Sequence, residues 1–218
     1  MNYTLIILGI ILILVLYVLY RFVYDRQTMV SNKQYLADNP PDKSFEDLAN
    51  PESSRYSYNL WIYANTISGT ETIFSIDQTK FKLEITNTGN LEFKVAGSSN
   101  IITSNYPLQK WVCVSISVDN NIVDSYLDGK LVKSQKISTI SDNKPTKTSK
   151  ISMGKGDKTG DIYIAEFERL PYPIDPQTAW DRYMAGNGGS YISNAFAAYG
   201  ANLILTKDQV DMKKYALF

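Results

Sequence analysis

Two hydrophobic patterns divide the chain. Residues 5–20, LIILGIILILVLYVLY, run without a charge or a strongly polar side chain. From residue 56 onward apolar and polar residues mostly alternate with a period of two, as in strands, whose successive side chains point to opposite faces. Between these patterns, residues 25–53 are polar and broken at Asn39-Pro40-Pro41 and Asn50-Pro51, which predicts a linker. Within it, Ser44 is placed to cap a short helical turn around Phe45 to Leu48.

At about 1.5 Å per residue, some twenty helical residues cover a hydrocarbon core of about 30 Å. Residues 1–24 therefore predict one transmembrane α-helix, with Leu5, Ile6, Leu12 and Leu16 in lipid and Tyr20 at the interface. Arg21 follows, where its long stem reaches the headgroups. A cleaved signal peptide would need a basic start and a small-x-small cleavage site, and neither MNYT nor RFVYDRQ supplies them. Arg21, Arg26 and Lys33 follow the span, and no Lys or Arg precedes it. The positive-inside rule then puts the C-terminal part on the cytosolic side of a single-pass protein.

Strand signals crowd residues 54–185. Phe81, Leu83 and Ile85 alternate with Lys80, Lys82 and Glu84, and a turn at Asn87–Asn90 leads to Leu91, Phe93 and Val95. This pattern is that of a hairpin. Val112, Val114, Ile116 and Val118 share one face of the next strand, and Asp128-Gly129 turns the chain again. About nine short strands separated by turns predict an all-β sandwich. A helical period appears only at residues 176–184.

Composition removes several functions. Lys plus Arg equals Asp plus Glu, 22 against 22, so no charge excess favours nucleic acid as a partner. There is no histidine, the commonest general base and zinc ligand. The single cysteine, Cys113, excludes an intrachain disulfide and a cysteine metal cluster.

Four segments resemble pieces of laminin-G-like, concanavalin A-like domains, in the right order: YNLWIY from residue 58, PLQKWVCVSISVD from 107, DSYLDGKLV from 124 and GDIYIAEF from 160. The resemblance implies a two-sheet antiparallel jelly-roll sandwich followed by a short helix. The wider layout of bare span, polar linker, one such domain and a tail resembles membrane-anchored minor capsid proteins of large eukaryotic DNA viruses of the chlorella-virus type. That resemblance implies a structural virion protein in an inner membrane beneath the capsid. Its partners would be the bilayer and neighbouring capsid or membrane proteins, with no nucleic acid and no small-molecule substrate. The alternative within the same family is a membrane-tethered carbohydrate-binding module.

Candidate chemistry is sparse. Glycoside hydrolysis needs paired carboxylates, and only Glu166-Phe167-Glu168 offers a pair, without the middle Asp of the family's pattern. A non-catalytic protein is therefore expected, with no catalytic, cofactor-binding or metal residues assigned. Calcium is the one cofactor the fold would admit; Asp77, Asp119, Asp124 and Asp128 lie near turns, where aspartate ordinarily serves the backbone. Trp61 and Trp111, on central strands, are expected in the core, so that truncating Trp111 would cost about 3–5 kcal/mol. Trp180 and Tyr183 form a helical stripe expected to dock the helix. In the tail, residues 186–218, the apolar residues Leu203, Ile204 and Leu205 and the terminal Leu217 and Phe218 are the candidate partner contacts, beyond a Gly-rich linker at 186–190.

Overall fold

The structure is a computed structural model that describes residues 3–140, 142–154, 160–188, 202–207 and 210–216. It opens with helix α1 (Tyr3–Thr28), which passes directly into strand β1 (Met29–Ser31). Thirteen strands then build two antiparallel sheets. The first sheet runs β1, β13 (Asp161–Leu170), β4 (Arg55–Thr66), β9 (Trp111–Asp119), β10 (Ile122–Leu127), β11 (Lys130–Lys136), with β2 (Gln34–Tyr35) also paired to β13. The second runs β3 (Lys43–Ser44), β12 (Lys150–Met153), β5 (Glu71–Ile76), β6 (Phe81–Ile85), β7 (Leu91–Val95), β8 (Ser98–Thr103).

Alternation decides what fills the interior. From β4 the even-numbered Tyr56, Tyr58, Leu60, Ile62 and Ala64 enter the core, and from β9 Val112, Val114, Ile116 and Val118 join them. The second sheet supplies Ile73, Phe74, Phe81, Leu83 and Phe93. Tyr58, Phe74, Phe81, Phe93 and Phe167 form one aromatic cluster, with neighbouring centroids 4.6–6.3 Å apart. The odd-numbered residues of β4 and β9 face outward. Helix α2 (Pro176–Ala185), started by Pro176 and capped by Asp175, lies over part of that outer face.

The stretch expected to be a linker is built into the sandwich. It supplies β1, β2 and β3, and Val30, Leu36, Phe45 and Leu48 are all buried in the core. The turn at Phe45–Asp47 forms as a 3-10 helix, with the Ser44 hydroxyl accepting from the Glu46 amide. What holds this segment is Arg169, a fully buried arginine. Its guanidinium donates to the carbonyls of Ala49, Asn50 and Pro51 at 2.7, 3.1 and 3.3 Å, and it lies over the rings of Phe45 and Tyr56. Polar side chains that close such contacts lie far apart in sequence from their targets, so a linear reading of polarity misses them.

The outer face of the second sheet carries an ion network instead. Glu84, buried, pairs with Lys82 and with Lys94 at 2.6 Å, and Lys94 also reaches Glu92 at 3.3 Å. Burial opposes ionisation of Glu84, but the two lysines outweigh it and hold the carboxyl below its usual range. A depressed folded-state pKa stabilises the fold above the unfolded value of about 4.3 and is lost as pH falls through the lower folded value. Glu84→Gln should therefore cost about 1.5–3 kcal/mol at pH 7, and the deficit should shrink as pH falls below about 4. Denaturation at both pH values checks this; an equal deficit at both would contradict it.

Among the described residues no helix is long and apolar enough to cross a membrane. The continuous part of α1 whose side chains are described, residues 6–20, makes about 23 Å of helix. Those side chains, Ile6, Leu12, Leu16 and Tyr20 among them, are apolar and mostly exposed all round the helix. The side chains of Leu5 and Arg21 lie outside those described. The tail forms a separate hairpin, β14 (Asn202–Lys207) with β15 (Val210–Ala216), pairing Leu203 with Tyr215 and Leu205 with Lys213. Leu203, Ile204 and Leu205 thus sit on a strand whose hydrogen-bonding partner is the tail itself, while Leu217 and Phe218 lie outside the described residues.

Candidate functional site

The outer face of the first sheet is organised in cross-strand rows. Nearest the β4 start, Ser57 and Ser117 pair across β4 and β9, and their hydroxyls donate to the carbonyls of Tyr172 and Ile174. In the next row Asn59 accepts from Ser115 at 2.7 Å. Beyond it Trp61 lies between the small side chains of Ala165 and Cys113, and Tyr183 of α2 stacks on it at 5.7 Å. The segment from Tyr172 through α2 covers these three rows. Burial pushes the Cys113 thiol up to about 12, so it is an inert neutral group beneath this cover.

The fourth row is left uncovered by α2. Tyr35 on β2, Tyr163 on β13, Tyr63 on β4 and Trp111 on β9 are successive cross-strand partners. Their centroids follow one another at 4.6, 6.3 and 5.5 Å. All four are half-buried. At one end the Lys33 ammonium lies 5.7 Å from the centre of the Trp111 ring. One step further along the two middle strands, Asp161 of β13 accepts from Asn65 of β4 at 2.9 Å. Burial raises the Tyr35 phenol, and the nearby charge of Asp161 adds to the shift, so its hydroxyl stays protonated. A row of four aromatic residues edged by amide, carboxylate and ammonium groups offers apolar contact and hydrogen bonds together, the combination that binds a polar ligand with apolar faces.

This corrects the expectation for Trp111. The residue does sit on a strand paired on both edges, but it points outward with the odd-numbered, polar side of β9. Its truncation should cost about 1–2 kcal/mol, less than a core tryptophan would. Trp61 is buried as expected, though under α2 and not between the sheets. Trp180 is 40% exposed yet packs over Gly129, and Tyr183 stacks on Trp61, so both residues of the stripe dock α2.

The two glutamates come together through a β-bulge. Glu166 and Phe167 both face Leu60, with Glu166 at φ 48°, and the extra residue sends Phe167 into the core and Glu168 outward. Both carboxylates line a cavity of about 90 Å³ with Asn59 and Arg182. Small-molecule pockets occupy roughly 300–1,000 Å³. Arg182 pairs with Glu168 at 2.9 Å, so this carboxylate is engaged within the fold.

The four turn aspartates do not converge. Asp77 accepts from Ser149 and the Lys150 amide, and these with Lys80 overcome its burial to lower its pKa. Asp119 pairs with Arg55 at 2.9 Å, and Asp128 accepts from the Cys113 amide and from Lys110. Asp124 lines an open cleft of about 310 Å³ with Asp119, Tyr126 and Asp175. Among the described residues no group of three acidic or cysteine side chains is placed to hold a metal.

Residues 40–167 match Laminin_G_3, the concanavalin A-like lectin/glucanases superfamily. No curated protein sequence matches the chain. Among solved structures, the chain is similar to the ligand-binding domain of botulinum neurotoxin serotype D in complex with N-acetylneuraminic acid, at TM-score 0.54 and 18% identity, over 72% of this chain and 43% of that one. It is also similar to the binding domain of botulinum neurotoxin DC in complex with rat synaptotagmin II, at TM-score 0.52 and 19% identity, over 62% and 37%. The chain thus spans less than half the length of these toxin domains. At such identity the likeness is one of fold.

Proposed function

We propose a carbohydrate-binding role from one premise: the chain belongs to the concanavalin A-like lectin/glucanases superfamily. The observation that carries the proposal is the uncovered row Tyr35, Tyr163, Tyr63 and Trp111, with Lys33, Asn65 and Asp161 at its edges. Sugar rings combine apolar C–H faces with hydroxyls, and this surface offers matching groups for both. The toxin domain in complex with N-acetylneuraminic acid has the same kind of sandwich, which makes a sugar a compatible ligand for it. The role is binding without catalysis, since Glu168 is held by Arg182.

The module is tethered. Helix α1 is apolar on every side, and such a helix belongs in a core or a bilayer; no sandwich surface covers residues 6–20. Together with its flanks it serves as a single-pass anchor. Met29, just after α1, pairs with Glu168 in the Asn59 row, and Tyr63 lies four residues further along β4. The aromatic row therefore stands about 13 Å further along the strands from where α1 joins the sheet.

A second reading is the structural virion protein, anchored in an inner membrane with the sandwich on the cytosolic side against capsid proteins. The charged flank after α1 favours it, although Lys33 is now placed over Trp111. Topology separates the two. A glycan-binding sandwich should lie outside the cytosol, and in sealed microsomes it should resist added protease until detergent is present. Digestion without detergent would favour the second reading. The carbohydrate proposal is tested directly by presenting the full chain in nanodiscs to an oligosaccharide panel. Binding of at least one class at micromolar to millimolar strength is expected, and no binding to any would overturn it.

A further inference from the structure

Charged groups of both signs border the aromatic row. Beside its two middle strands, Asp161 of β13 accepts from Asn65 of β4. At the β9 end, the ammonium of Lys33 lies 5.7 Å from the Trp111 ring centre. The Lys33 side chain is exposed, and among the described residues no carboxylate pairs with it. The neighbouring cation differs, because Lys110 is bound to Asp128 at 2.9 Å. A lysine held only by an aromatic face keeps its charge available to a ligand lying on that face. Four strands at about 4.8 Å spacing give a row of roughly 15 Å, room for a short oligosaccharide laid across the strands.

Resting on the carbohydrate reading, we infer that the row is selective for anionic glycans, with the acidic group of one sugar residue seated on Lys33 beside Trp111. Carboxylate and sulfate share the chemistry that Lys33 recognises. The plain alternative is that Lys33 only shields the Trp111 ring from water.

The experiment titrates the full chain in nanodiscs of zwitterionic lipid with three probes: a hexuronate tetrasaccharide, a sulfated hexose tetrasaccharide and a neutral hexose tetrasaccharide. The same titrations are run on Lys33→Met, which keeps the apolar stem. At least one anionic probe should bind about fivefold or more tighter than the neutral one, the scale of one exposed charge pair. The difference should vanish in Lys33→Met and narrow in high salt, where exposed charges are screened. The unfolding transition should not move, because Lys33 is exposed. Equal binding of all three probes would overturn this inference and leave the carbohydrate reading standing. A preference that survives Lys33→Met would overturn the assignment to Lys33. Failure of every probe, with other panel glycans bound, would overturn the inference alone; failure of the whole panel would remove both.

Discussion

Arg169→Ala should destabilise the sandwich by about 3–5 kcal/mol, the scale for breaking a buried charged hydrogen-bond network. The carbonyls of Ala49, Asn50 and Pro51 lose the guanidinium at once, and that of Asn50 is left with the Ser53 amide. The rings of Phe45 and Tyr56 lose the cation over them. Burial pushes the phenol of Tyr58 far up and Arg169 offsets only part of this, so no phenolate forms to answer the charge. The carbonyl dipoles carry that duty. For a domain of this size the loss corresponds to a fall in Tm of roughly 6–20 °C. Arg169→Lys keeps the charge but cannot span three acceptors in a planar fork, and should recover part of the loss only. Thermal denaturation of the full chain in detergent measures both. A change within error for Arg169→Ala would show that residues 45–51 hold to the sandwich without it.

Removing residues 1–24 should release the protein from membranes entirely while leaving the sandwich folded. Residues 6–20 contain twelve Leu, Ile or Val side chains. At 0.3–0.6 kcal/mol each, these alone favour insertion by about 4–7 kcal/mol. The cut spares the joint to the sandwich: the Gln27 carbonyl accepts from the Ala49 amide at 3.0 Å, and Thr28 is buried. Flotation of the two forms with vesicles gives the result directly. The truncated form should stay at the bottom of the gradient with an unchanged Tm. Co-flotation of both forms would place the membrane contact on the sandwich, and a lost melting transition would make α1 part of the fold.

Much of the sandwich was legible because its strands keep a strict period of two. Phe81, Leu83 and Ile85 fall on β6, Leu91, Phe93 and Val95 on β7, and the hairpin at Asn87–Asn90 closes between them. Three features were hidden. Strands β1, β2 and β3 have two or three residues each, too few to show a period. Strand β8, SSNIIT, is largely polar because it is an edge strand. The aromatic row spans Tyr35 to Tyr163, and its members share no local pattern. One signal was available. In residues 57–63 and 111–117, Trp61, Tyr63 and Trp111 fall on the same parity as Ser57, Asn59, Ser115 and Ser117. That parity marks the outward side, so aromatic bulk alone misassigned Trp111 to the core. The bulge at Glu166 was equally hidden, since a non-glycine residue at positive φ leaves no mark in the sequence.

The central claim is that the uncovered row binds sugar. The most direct measurement is calorimetric titration of the full chain in nanodiscs with whichever oligosaccharide the panel selects. Wild type is compared with Tyr63→Ala, Trp111→Ala and, as a control on α2 outside the row, Trp180→Ala. Each row variant should weaken binding by roughly tenfold or more, as removal of an aromatic anchor does. Their melting temperatures should fall only slightly, since both side chains are half-buried. Trp180→Ala should leave affinity unchanged. Undiminished binding by both row variants would contradict the claim, and loss confined to Trp180→Ala would move the site to the edge of α2.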